Sequence, residues 1–69
     1  METDILKQFG ERVKELRLEK KWSQQELADE ASFHKNYIGM VERGERNISL
    51  KNIDAIAKAL KIHISDLLK

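Results

Sequence analysis

Residues 22–44 read WSQQELADEASFHKNYIGMVERG, and the reading of this stretch decides the fold. Ser23 opens a capping box: its side chain is placed to accept from the amide of Glu26, whose carboxylate reaches back to the amide of Ser23. Trp22, just before the cap, is spaced to pack on Leu27 at the fourth helical position, the arrangement called a hydrophobic staple. The same frame returns at Phe33-His34 with Ile38. Between the two helices stand only Ser32, Phe33 and His34, and a turn this short between two short helices is the mark of a helix-turn-helix. Gly44 suits the left-handed residue that closes the second helix.

The frame recurs downstream, at Ile48-Ser49 with Ile53 and at Ile62-His63 with Leu67. His63 with Asp66 makes a poorer box, because histidine is not a favoured cap. Upstream, Phe9, Val13 and Leu16 follow helical spacing, extended backwards by Ile5 and Leu6, while Leu50, Ile53, Ala57 and Leu60 form a second stripe. Proline is absent. The pattern predicts an all-α fold of five helices at about 4–20, 24–31, 35–43, 50–60 and 64–68, in one domain spanning 1–69.

A chain of 69 residues is small for an independent core; at that size only about 60% of the unfolded surface is buried. Small domains usually add a disulfide, a metal or a partner. Cysteine is absent and histidine occurs twice, so neither a disulfide nor a structural zinc is expected, and no metal or other cofactor. Association with a second copy is the remaining route. Met1-Glu2-Thr3-Asp4 lacks the basic-then-apolar layout of a secretion signal, and no apolar run approaches the roughly 18 residues of a membrane span. A cytoplasmic protein without membrane contact is expected. Net charge is only +1, but residues 34–51 carry Lys35, Arg43, Arg46 and Lys51 against Glu42 and Glu45, after an acidic stretch at Glu26, Asp29 and Glu30.

The third helix must bury Ile38 and Val41, which leaves Lys35, Asn36, Gly39 and Met40 on the opposite face, flanked by Tyr37 and Arg43. Lysine can donate to guanine, asparagine can bridge adenine, and apolar groups can touch a thymine methyl. Gly39 permits close backbone approach to the groove floor or marks an exposed position tolerant of glycine. Gln24, at the opening of the second helix, stands where free amides and the helix dipole attract phosphate. Arg43, Arg46 and Asn47 bring two guanidinium groups and an amide suited to backbone oxygens or a base edge. Double-stranded DNA is therefore the expected partner.

Ser23-Gln24-Gln25-Glu26-Leu27-Ala28, the short turn, Tyr37-Ile38 and Val41-Glu42-Arg43-Gly44 together resemble the phage repressor and Cro type of helix-turn-helix domain, over roughly residues 9–68. The segment from His34 to Leu50 is similar to one branch, the controller proteins of restriction-modification systems. The resemblance implies a five-helix lambda-repressor-like fold, Gln24 at a phosphate, the third helix in the major groove and a structural ion pair between Arg17 and Glu42. It implies DNA contacts at Lys35, Asn36 and Tyr37, and Arg46 reaching a base or the backbone nearby. It further implies dimers joined through the last two helices, acting on operators upstream of their own gene and the endonuclease gene, first as activator and then as repressor. RNA polymerase is a candidate further partner. Such controllers tend to carry arginine and threonine where this chain has Lys35 and Asn36, which implies a different operator. Ser32 stands where the family commonly has glycine, at a cost of roughly 1 kcal/mol for a left-handed residue.

One small core is not expected to absorb Ile56, Ile62, Ile64, Leu67 and Leu68, so these are assigned to a dimer interface. A two-fold dimer sets its recognition helices about 34 Å apart, one turn of DNA. No enzyme and no small-molecule ligand are expected: no nucleophile and base are paired, and the chain is too small for an ordinary pocket. His34 and His63 fall at helix starts, where capping accounts for them. Alternatives within DNA binding are a prophage or plasmid repressor or an antitoxin. Outside it stands a protein-interaction adaptor, which calls for an apolar patch on the outward face of the third helix.

Overall fold

A computed structural model describes residues 4–68. Met1, Glu2, Thr3 and Lys69 lie outside the described residues, and with them most of the acidic N-terminal stretch. The helices are α1 (Ile5–Glu19), α2 (Gln24–Ala31), α3 (Lys35–Glu42), α4 (Leu50–Leu60) and α5 (Ile64–Leu67), with no strand among the described residues. Their bounds match the expected ones to within a residue at each end. Asp4 caps α1 by accepting from the Lys7 amide at 3.2 Å. Ser23 forms the full capping box, accepting from the Glu26 amide at 3.1 Å and donating its own amide to Glu26 Oε1 at 2.7 Å. Ser49 caps α4 through the Asn52 amide at 3.2 Å. The two histidines depart from expectation. His34 and His63 occupy the cap positions of α3 and α5, but neither side chain bonds a backbone amide there.

Turns between helices reuse one device. Lys21, Ser32 and Lys61 are left-handed, with φ of 61°, 62° and 60°. Behind each, the next residue's amide closes on the helix just ended: Trp22 on the Arg17 carbonyl at 3.2 Å, Phe33 on Ala28 at 2.8 Å and Ile62 on Ala57 at 3.1 Å. These are Schellman closures. The apolar residue that seals one helix is thus the one that staples the next. Ser32 was expected to be left-handed, whereas the two lysines carried no such signal. Gly44 closes α3 in the same way with φ of 75°, and a Cβ there would sit 2.8 Å from the Cα of Lys7 in the first turn of α1.

The core gathers Phe9 and Val13 from α1, Leu27 and Ala28 from α2, Ile38 and Val41 from α3, Ile56, Ala57 and Leu60 from α4, and Leu67 from α5. Two sequence assignments are corrected here. Ile56 and Leu67, expected at a subunit interface, are 0% and 1% exposed inside this single chain. The buried stripe of α4 runs through Ile56, Ala57 and Leu60 with Ile53 half-buried, so Leu50, placed in that stripe, points outward at 73% exposure. Leu67 is drawn inward because Arg12 of α1 donates Nε and Nη2 to the neighbouring Asp66 carbonyl, both at 3.3 Å, clamping α5 against α1.

α1 and α3 meet at Gly10. A Cβ at that position would overlap the Val41 carbonyl oxygen and stand 2.8 Å from the carbonyl carbon of Glu42. Glycine is required here because backbone, not a flexible side chain, fills the space. Gly10→Ala is expected to lose about 2 kcal/mol, within the range of overpacking, although alanine normally gains about 1 kcal/mol in a helix interior. Urea denaturation measures it, and an unchanged or higher midpoint would show that α1 and α3 are not held this closely.

Candidate nucleic-acid interface

The candidate surface on α2 and α3 is built on a buried polar core. Arg17 at the end of α1 meets Glu42 at the end of α3 through two bonds, Nε to Oε2 at 2.7 Å and Nη2 to Oε1 at 3.0 Å. Its third nitrogen donates to the Trp22 carbonyl at 2.7 Å, and Gln24 donates its amide to Glu42 Oε1 at 3.0 Å. Arg17 and Glu42 are both buried, and their two bonds make a bidentate, charge-assisted pair of the strong kind. This is the structural pair expected for these two residues. Gln24, expected at a phosphate, has its amide nitrogen engaged by Glu42.

Above this core, Gln24, Lys35, Asn36, Gly39, Met40 and Arg43 line one shallow depression of about 280 Å³. Lys35 and Asn36 are exposed and Met40 is half-buried, so the outward face of α3 is polar and lacks the apolar patch of an adaptor. Gly39 is not an open position. It lies beneath side chains of its own chain, and a Cβ would meet Arg43 Nη1 at 3.1 Å and Gln24 Oε1 at 3.6 Å. Its lack of a side chain lets Gln24 and Arg43 fold over α3.

The three remaining residues expected at DNA lie to one side. The Arg46 guanidinium sits 5.4 Å over the Tyr37 ring, within cation–π range, and Asn47 is exposed beside it. Tyr37 packs on Phe33 with ring centroids 4.8 Å apart. Arg43 pairs with Glu45 through bonds of 3.0 and 3.1 Å. That hydrogen bonding and the opposite charge hold the Arg43 guanidinium above its ordinary pKa and the Glu45 carboxyl below its own. The Arg43–Glu45 pair was not foreseen, and both partners are exposed at the surface, so phosphate can exchange for the carboxylate at little cost. Among the described residues no cluster of histidine and acidic side chains is disposed to hold a metal ion, and no helix is long and apolar enough to cross a membrane.

A helix-turn-helix family model matches residues 13–67. The chain belongs to the helix-turn-helix family. Among its helix-turn-helix relatives, the control protein C.BamHI of Bacillus amyloliquefaciens is 46% identical, over 99% of this chain and 85% of its own length. The restriction-modification controller C.AhdI of Aeromonas hydrophila is 47% identical and superimposes with a TM-score of 0.88, covering 90% of each chain. The controller C.Esp1396I, solved as a tetramer on its natural 35 base-pair operator, is 30% identical with a TM-score of 0.83, over 99% of this chain and all of that one.

For this helix-turn-helix domain, the buried pair sets a stability test. Arg17→Ala and Glu42→Ala are each expected to cost about 3–5 kcal/mol, since each strands a buried charge. Arg17→Ala combined with Glu42→Ala should cost markedly less than the sum, because neither charge is then left alone. Denaturant midpoints of the single and double variants decide it, and additive losses would mean the two side chains act independently.

Proposed function

We propose that the chain is a sequence-specific transcriptional regulator that binds a two-fold symmetric operator as a homodimer and controls its own gene and a restriction endonuclease gene. The observation that carries this reading is the single depression in which α2 and α3 gather Gln24, Lys35, Asn36, Gly39, Met40 and Arg43, backed by a buried ion pair that fixes the two helices. α3 enters the major groove, with Lys35 and Asn36 at base edges, and Arg43, Arg46 and Asn47 grip the phosphates beside them. The controllers it resembles, one of them solved on its operator, support the assignment to that branch. RNA polymerase is the partner through which activation would proceed, and the site of action is the cytoplasm.

A second copy has a surface to cover. Ile5, Leu6, Phe9, Ile48, Ile53 and Leu68 line, with neighbours, an apolar groove of about 210 Å³. Leu68 is 52% exposed there, whereas Ile62 and Ile64 are half-buried against the chain's own core. Leu68, not the buried Leu67, is the residue through which association is tested.

Selection of bound sequences from random duplex DNA, followed by gel shifts over a range of salt, tests the function. A two-fold symmetric motif is expected, with affinity falling by about a thousandfold between 50 and 200 mM salt if some six phosphates are neutralised. Folded protein that enriches no motif would remove base reading by α3. Leu68→Asp is expected to sediment as a monomer with an unchanged helical spectrum; an intact dimer would place the interface elsewhere.

A further inference from the structure

Asn52 belongs to α4, outside the helix-turn-helix, and nothing in the sequence ties it to DNA. Its side-chain amide nitrogen donates to the Tyr37 hydroxyl oxygen at 3.0 Å, bridging α4 to α3. We propose that Asn52 is a positioning residue of the DNA-binding surface, holding Tyr37 so that its hydroxyl hydrogen is offered to a backbone phosphate and its ring supports Arg46.

The argument begins with donor and acceptor roles. A phenol carries one hydrogen to donate and lone pairs to accept with. When the Asn52 amide donates to the oxygen, the hydroxyl hydrogen is left for another acceptor. Tyr37 and Asn52 line an open cleft together with Ser32, Phe33 and His34, where such an acceptor can enter. A phosphate oxygen fits: it accepts only, it carries the charge that the nearby Arg46 attracts, and it lies along the path of a duplex seated on α3.

Asn52 can impose this polarity because it is itself held. It is the third residue of α4, its backbone amide is fixed by the Ser49 hydroxyl at 3.2 Å, and its side chain is half-buried. The Tyr37 ring is fixed at its other side by Phe33. Arg46 then rests on that ring at 5.4 Å, and no carboxylate pairs with it among the described residues. Arg43 is the contrast, since Glu45 already engages it. The loop arginine is therefore steered by an aromatic face that α4 holds in place, and its charge stays available to DNA.

The proposal rests on the DNA-binding reading above, and the test separates the two. Affinities for the duplex recovered by selection with the wild-type chain are measured for Asn52→Asp, Tyr37→Phe and the double variant. An aspartate accepts where asparagine donated, so it captures the hydroxyl hydrogen and reverses the polarity of the bond. It also repels phosphate, and that part persists when the hydroxyl is gone. Asn52→Asp is expected to weaken binding about tenfold more in the tyrosine background than in the phenylalanine background. Equal penalties in both would overturn the hydroxyl role while leaving DNA binding intact. A wild-type chain that enriches no duplex removes both readings.

A second measurement needs no DNA. Tyr37 is the only tyrosine of the chain, so its ring protons are identified without ambiguity in a proton NMR spectrum. Cross-relaxation between that ring and the Arg46 side chain is expected in the wild type and lost in Asn52→Leu, with the circular dichroism spectrum unchanged. Persistence of the contact in Asn52→Leu would overturn the support of Arg46.

Discussion

The buried pair of Arg17 and Glu42 is the constraint on which the arrangement of α1, α2 and α3 depends. A guanidinium and a carboxylate taken out of water are costly unless every polar atom is met. Here they are: two bonds join the pair, the third nitrogen of Arg17 meets the Trp22 carbonyl, and Gln24 meets Glu42. The four residues come from the end of α1, the turn that follows, the start of α2 and the end of α3. Satisfying one buried charge therefore fixes three helices at once. An apolar substitute of similar volume can match the stability, but it would not set the rotation of α3 or the direction of the Gln24 side chain.

Around that pair, the chain economises on connections. Lys21-Trp22-Ser23, Ser32-Phe33-His34 and Lys61-Ile62-His63 each place a left-handed residue, an apolar seal and a cap position in succession. The Ser32 and Lys61 units follow their helices directly, the Lys21 unit follows α1 after the single cap residue Lys20, and each leads straight into the next helix. A left-handed lysine or serine costs roughly 1 kcal/mol relative to glycine, yet the apolar seal in the middle packs against the core and offsets it. The geometry is dictated by the closure bonds, which explains why residues without a left-handed preference adopt it.

Much of this was legible in the sequence, for reasons that differ by residue. Ser23 with Glu26 and the four staples place α2 to α5, and the stripe of Phe9, Val13 and Leu16 places α1, because capping and periodicity are local signals. The outward-facing residues on α3 follow from knowing which side holds Ile38 and Val41. The burial of Ile56 and Leu67 was not legible, because it depends on how far α4 rotates and on Arg12 pulling α5 inward. Lys21 and Lys61 resemble solvent-facing helix residues until the closure bonds are seen. Gly10 is an unremarkable position within α1 unless the backbone of α3 is known to press on it. His34 and His63 stand at cap positions and cap nothing, since the closures and staples already define those starts. Asn52 was missed because its partner is fifteen residues away on another helix.

The first turn of α1 touches both surfaces of the molecule. Ile5 and Leu6 line the apolar groove, while the backbone of the adjacent Lys7 is the seat of Gly44, from which the loop carrying Arg46 departs. If two chains pair through that groove, as proposed, it is covered and the turn that forms its wall is held. On that arrangement, pairing and the arginine loop would bear on one piece of backbone, the first turn of α1. By linkage the coupling runs in both directions: whatever stiffens the loop on a duplex also favours pairing. A change at Leu6, far from the arginine loop in sequence, would then reach that loop through a single helical turn.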